Sequence, residues 1–240
     1  MKITFLGSSH GVPEANRRCQ SIMIEVGGKI YIVDMGTQTI EQLITKGKAV
    51  EDVKSIFITH LHGDHSNGLI SFIDLCNWYF KKAEPEVYIP GSAEKVKSAI
   101  EAWLKCNGEN MRYFKFEDVK EGAFYNDGII KMTAYRTKHK DFSYAYILEA
   151  ENKRVFISGD LLGPKADFPK EAFDKPVDLA ICECAHFNAN DYLSVFENNE
   201  NLKKLCITHY SNRWISSVME LKSKLSVPFL LATDSLEIDV

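Results

Sequence analysis

The stretch Thr59-His60-Leu61-His62-Gly63-Asp64-His65-Ser66 follows the apolar run Val53-Lys54-Ser55-Ile56-Phe57-Ile58. It packs four potential metal ligands into six residues at the point where a buried strand should end. Neutral imidazole nitrogens and carboxylate oxygens are the donors that zinc and similar cations take. A fold that accommodates the stretch must therefore bring a strand end to an edge where further donors can converge.

The rest of the chain supplies such an edge. Residues 2–6, 21–26 and 29–34 read as strands, the last two joined by Gly27-Gly28, a two-residue hairpin signal. A helical segment from Thr37 to Lys46 precedes the strand 53–58. From Ser66 to Lys82 the apolar positions recur every three or four residues, which predicts an amphipathic helix on a sheet. Glu86 to Ile89 reads as a strand, and Ala93 to Lys105 as a second helix behind the cap Ser92. Strands follow near 112–116, 123–125, 129–137, 143–149 and 153–158. The final third alternates strand 178–182, helix 190–198, strand 204–208, helix 215–225 and a strand pair at 229–231 and 236–239. With no repeat and no linker, the order implies one α/β domain over residues 1–240: two facing mixed β-sheets with helices outside, a four-layer αβ/βα sandwich.

Three more donors lie further along the chain, two of them at strand ends. His139 stands in Thr137-Lys138-His139-Lys140, Asp160 ends Phe156-Ile157-Ser158-Gly159-Asp160, and His209 follows Ile207-Thr208. Seven groups match the six or seven that a two-ion site requires, although His139 also reads as an exposed loop residue and Asp160 as a helix cap.

The motif His60-x-His62-x-Asp64-His65 resembles the signature of the metallo-β-lactamase superfamily. Phe5-Leu6-Gly7-Ser8-Ser9-His10-Gly11-Val12-Pro13 with Arg17-Arg18, Asp34-Met35-Gly36, Ser158-Gly159-Asp160 and Thr208-His209-Tyr210-Ser211-Asn212-Arg213 are similar to segments of its tRNase Z and cyclic-nucleotide phosphodiesterase branch. The resemblance implies that His60, His62 and His139 hold one ion and Asp64, His65 and His209 a second, with Asp160 between them. Zinc is the first expectation for both ions, manganese or iron the alternatives. Asp34 is expected to orient a ligand histidine. The branch also implies that Glu183 and a nearby histidine protonate a leaving oxygen; His186, three residues on, reads equally as proton donor or packed structural residue. His10, Arg17, Lys138 and Arg213 are candidates for substrate contact.

The likeness to tRNase Z breaks at one place. That enzyme carries a tRNA-gripping arm between the third histidine motif and the bridging aspartate, whereas here Asp160 follows His139 by only 21 positions and two strands occupy the interval. The chain has 29 basic and 33 acidic residues, a formal net charge of −4, and no polybasic face to replace the arm. Long nucleic acid is therefore not expected as a partner, and a small anionic molecule is.

Six cysteines without C-x-x-C spacing read as reduced thiols, and no apolar run approaches the roughly 18 residues of a membrane span. These features imply a cytoplasmic protein with no membrane partner, and the branch implies a homodimer. Two divalent ions with Asp64 and Asp160 make a net positive pocket that lowers the pKa of a shared water and favours a phosphodiester. The expected activity is thus a metal-dependent phosphodiesterase on a small or cyclic nucleotide-like diester, using a metal-bridging hydroxide. A lactonase or thioesterase on the same scaffold is the alternative, and a di-iron oxidoreductase a more distant one.

Overall fold

A computed structural model describes residues 1–240. The first sheet opens with three antiparallel strands, β1 (Lys2–Gly7), β2 (Ser21–Val26) and β3 (Lys29–Val33). It continues in parallel with β4 (Val53–Phe57), β5 (Glu86–Pro90) and β6 (Phe116–Val119), and β14 (Glu237–Asp239) returns beside β1. The second sheet is antiparallel through β7 (Gly122–Asn126), β8 (Lys131–Arg136), β9 (Tyr144–Ala150) and β10 (Lys153–Ile157). From β10 it runs parallel through β11 (Leu179–Cys184), β12 (Leu205–Tyr210) and β13 (Phe229–Leu231). Each sheet has seven strands.

The period-2 alternation of the strands explains the layering. In β3, Tyr31 and Val33 face the second sheet while Ile30 and Ile32 face outward. In β11, Leu179 and Ile181 enter the same inter-sheet core, and Ala180 and Cys182 turn to the opposite surface. Both faces are buried because helices cover them. On the first sheet these are α1 (Thr39–Thr45), α2 (Gly63–Ser66), α3 (Gly68–Trp78) and α4 (Ala93–Cys106), whose Leu43, Phe72, Ile73, Ile100 and Leu104 fill the outer core. On the second sheet α5 (Pro164–Asp167), α6 (Leu193–Phe196) and α7 (Ile215–Lys224) do the same, with Phe196, Val218 and Leu221 inward. The four-layer αβ/βα sandwich expected from the sequence is present, and no helix is long and apolar enough to cross a membrane.

Several boundaries differ from the sequence expectation. The segment expected as one helix over 66–82 is α2 and α3, broken at Asn67 and ended at Trp78. Gly68 donates its N–H at 2.7 Å to the Met35 carbonyl instead of continuing the helix. The strand expected at 112–116 begins only at Phe116, and Arg112 instead bonds the Cys76 and Ala83 carbonyls. The helix expected at 190–198 is a 3₁₀ turn, Ala189–Tyr192, running into α6.

Candidate metal centre

The donors gather where strands give out. The stretch 60–65 follows β4, Asp34 follows β3, His139 follows β8, Asp160 follows β10, and His209 lies near the C-terminal end of β12. Ligand sites form outside the carboxyl ends of strands because the connecting loops converge there. The structure brings His60, His62, His139 and Asp160 into one group and Asp64, His65 and His209 into another, the ligand atoms of each lying within 4.8 Å of one another. His139 is therefore not an exposed loop residue, nor Asp160 merely a helix cap.

Local backbone devices aim these side chains. Asp34 has a left-handed φ of 60°, an uncommon conformation for a non-glycine residue, and this turns its carboxylate under the ligand stretch. There Oδ1 accepts from the Thr59 N–H at 2.8 Å, and Oδ2 lies 2.7 Å from His65 Nδ1. His65 Nδ1–H donates to this carboxylate, leaving the Nε2 lone pair for a cation. Gly36 permits the close approach: a Cβ there would stand 1.7 Å from the Asp64 carbonyl oxygen. His209 is a bulged residue with φ 44°. Thr208 pairs Glu183 and Tyr210 pairs Cys184, so His209 has no partner across the ladder and its ring swings toward Asp160.

Asp160 is fully buried and divides its oxygens between the groups. Oδ1 lies 3.3 Å from His65 Nε2 and 3.5 Å from His209 Nδ1; Oδ2 lies 3.6 Å from both His60 Nε2 and His139 Nε2. Within the groups, His65 Nε2 is 3.1 Å from His209 Nε2, which is 3.1 Å from Asp64 Oδ2, and His62 Nδ1 is 3.3 Å from His139 Nε2. Donors held about 2.0–2.1 Å from a tetrahedral ion stand about 3.3 Å apart, so these spacings suit a metal. Three buried donor atoms, His60 Nε2, Asp160 Oδ1 and His209 Nδ1, have no hydrogen-bond partner in the protein. Polar atoms are rarely buried without one, and cations seated in the two groups would satisfy them, one beside His60 and one beside Asp160 Oδ1 and His209. The donor set fits divalent ions of the zinc type.

Electrostatics reinforce the donor set. Burial pushes the His60 pKa down to about 2 and that of His139 to about 4, keeping both imidazoles neutral, as ligands must be. Burial disfavours the Asp160 carboxylate, but His209 and His65 outweigh it and lower its pKa, while Asp160 and Asp34 raise that of His65 against its own burial. A divalent ion at His65 Nε2 would take the place of that proton and keep Asp160 ionised in its stead. Asp64 is ionised for the same reason, with His209 and His65 overcoming burial.

Beside this cluster His186 Nδ1 lies 2.7 Å from Glu183 Oε1, and its Nε2 reaches within 3.7 Å of Asp160 Oδ2. Its ring is 36% exposed at the mouth and stands 4.7 Å from the His139 ring. Burial opposes its cation, but the hydrogen bond and charge of Glu183 prevail and raise its pKa. Glu183 is itself fixed by the N–H groups of Leu161 and Ala185 at 2.8 and 2.7 Å.

The other candidates divide. Lys138 borders a cleft with His62 and His139. His10 is held by Glu14 at 3.4 Å, in the loop whose Gly11 abuts Asp64. Arg17 corrects the expectation of a substrate contact. It is 8% exposed, stacks on Tyr210 at 3.7 Å and donates to Glu14 and to the Ser8 and Tyr210 carbonyls, so it ties two loops together. Arg213 donates to the Ala185 carbonyl at 2.9 Å and so braces the turn that carries His186. Two further residues support the site without standing among the sequence candidates: Thr59, whose hydroxyl bonds Asp34, and Asp167, which accepts from the N–H groups of Lys138, Leu162 and Gly163. The position of Thr59 immediately before His60 was the available signal; nothing in the local sequence marked Asp167.

The fold and the donor set are those of a metallo-β-lactamase-fold protein. Across 99% of both chains the fold matches the metallo-β-lactamase fold protein YhfI from Bacillus subtilis, with a TM-score of 0.80 and 17% identity. Human tRNase Z, short form, matches over 100% of this chain and 99% of that one, with a TM-score of 0.78 and 20% identity. Ribonuclease Z from Methanothermobacter thermautotrophicus is 29% identical over 163 residues, 65% of this chain and 50% of that protein. The chain thus spans about half the length of the curated relatives it matches. Residues 1–223 match the family model described as anti-Pycsar protein Apyc1, and the chain belongs to that family.

Proposed function

We propose that the protein is a phosphodiesterase that holds two divalent ions, zinc first, and cleaves a small nucleotide-like diester, with the whole chain as its catalytic unit. The observation that carries this reading is the division of the Asp160 carboxylate, one oxygen toward each donor group. His60, His62 and His139 would hold one ion, Asp64, His65 and His209 the other, and Asp160 both. Bound there, the ions supply Lewis acidity toward a phosphoryl oxygen and acidify water.

The protein's own groups complete the reaction. Asp34 keeps His65 in the tautomer that offers Nε2. Glu183 fixes the His186 ring and favours its cation, so Nε2–H can protonate the departing alkoxide at the mouth. A small substrate is favoured over a long one by the 139–160 interval, a hairpin of β9 and β10 closed by Glu151-Asn152 alone, from which no arm projects.

The test is a substrate panel on protein reconstituted with zinc, manganese or cobalt: bis(p-nitrophenyl) phosphate, an acyl thioester and a homoserine lactone. Phosphodiester turnover that disappears with chelator is expected, with two ions per chain by elemental analysis and loss of both in Asp160→Ala. Turnover of the thioester or lactone alone overturns the reading in favour of those activities. A visible absorption band from the protein purified without added metal would indicate a di-iron centre instead.

A further inference from the structure

A cleft of about 860 Å³ opens beside His62 and His139, and it differs in character from the donor cluster. Four cationic side chains, Lys95, Arg136, Lys138 and Lys140, border it against the single carboxylate of Asp141, on a chain whose formal net charge is −4. Among these cations sits a large exposed aromatic, Phe142, 52% accessible, with Leu61, 46% accessible, lining the same cleft. Clefts of a few hundred to about 1,000 Å³ suit small molecules.

Phe142 is held in place. Its ring lies against the bare backbone of Gly91, whose φ is 92° and where a Cβ would stand 2.9 Å from two ring carbons. The loop carrying it is closed at its base by Thr137, whose N–H donates to the Ser143 carbonyl at 2.9 Å and whose hydroxyl meets that of Ser143 at 2.8 Å. Arg136 donates to the Asp141 carbonyl and brings its guanidinium 5.8 Å from the Phe142 ring centroid. The Lys138 N–H is anchored on Asp167 at 2.7 Å. A large apolar ring braced by Gly91 and still 52% accessible offers stacking area at little ordering cost. The surrounding cations and the adjoining donor cluster require that whatever stacks there also carry negative charge.

Resting on the phosphodiesterase reading, we infer that this cleft seats the base of a nucleotide. The base stacks on Phe142 and the lysines steady the phosphate as it meets the His62 and His139 edge of the centre. Phe142 is then the residue that separates nucleotides from other phosphate esters. Stacking of a base on an aromatic side chain is worth about 1–3 kcal/mol, a factor of roughly 5 to 150 in affinity.

Binding, not turnover, tests it. Calorimetry on the metal-loaded protein compares adenosine 5′-monophosphate with ribose 5-phosphate, which lacks the base. The wild type is expected to bind the nucleotide at least about fivefold more tightly. In Phe142→Ala the nucleotide should weaken to the level of ribose 5-phosphate, whose own affinity stays within about twofold and so reports an intact fold and centre. Phe142→Tyr should keep the difference. Equal binding of the two ligands by the wild type, no binding of either, or an equal loss of both in Phe142→Ala overturns the inference. Because turnover is not read, a base-dependent affinity in a protein inactive on diesters would sink the phosphodiesterase reading and leave the cleft's assignment standing.

Discussion

Asp34 Oδ2 stands 2.7 Å from Nδ1 of His65, and both side chains are almost wholly shielded from solvent. The pair joins the end of β3 to the start of α2, so the ring that offers Nε2 to the second donor group is oriented by a carboxylate from a different strand.

Removing that charge should cost metal before it costs fold. Outer partners of ligand histidines typically contribute 10- to 100-fold in metal affinity. Asp34→Asn is expected to lose about that much, measured by competition against a chelator of known affinity. Unchanged metal binding would show that the Thr59 contacts alone orient the site.

His186 should matter to rate and not to metal. A positioned proton donor contributes about 10²- to 10⁴-fold. His186→Ala is therefore expected to lower kcat within that range on a diester with a poor leaving group, with metal content unchanged, and to lose much less with p-nitrophenolate as leaving group. An equal loss on both substrates assigns His186 a packing role.

Asp167 accepts from Lys138, Leu162 and Gly163 and so ties the loop of His139 to that of Asp160. Asp167→Ala strands three backbone donors at partly exposed positions. A loss of about 1–3 kcal/mol in stability is expected by denaturant melting, together with weaker retention of metal on dialysis. A variant as stable and as well loaded as the wild type would show that water replaces the clamp without cost.

Far from the site, Asp127 gathers the Tyr31 and Tyr125 hydroxyls at 2.6 and 2.9 Å and the N–H groups of Ile129 and Ile130. Burial opposes its ionised form, but these donors prevail and lower its pKa below 3.8. A carboxylate with a depressed folded pKa contributes stability that is complete above its unfolded value and fades as pH falls through the folded one. Asp127→Asn should therefore be less stable than the wild type at pH 7, with the gap narrowing below about pH 4 in paired thermal melts. A gap independent of pH would assign the effect to geometry and not to charge.

The layers and the donors were legible in the sequence for the same reason. Strands buried on both faces read as apolar runs, and a histidine or aspartate directly after such a run stands out, as at His60, Asp160 and His209. What escaped was set by contacts distant in sequence. The φ of Asp34 and the bulge at His209 depend on strand pairing. The break at Asn67 depends on Gly68 finding Met35. Arg17 read as a free cation because nothing nearby reveals that Tyr210 and its carbonyl are waiting for it. The cleft escaped as well, since Gly91 and Phe142 meet only once β5 and the loop after β8 are placed side by side.

The hairpin of β9 and β10 turns through Glu151 and Asn152, both with left-handed φ, beside the amino terminus, where the Met1 ammonium meets Glu151 at 2.6 Å. Its two open ends, near His139 and Asp160, lie at the mouth, so the turn points to the opposite pole of the sandwich. That pole is a natural port for a tether: a dye, an affinity handle or a surface linkage grafted between Glu151 and Asn152 extends away from the donors and leaves the mouth free to exchange substrate with solution.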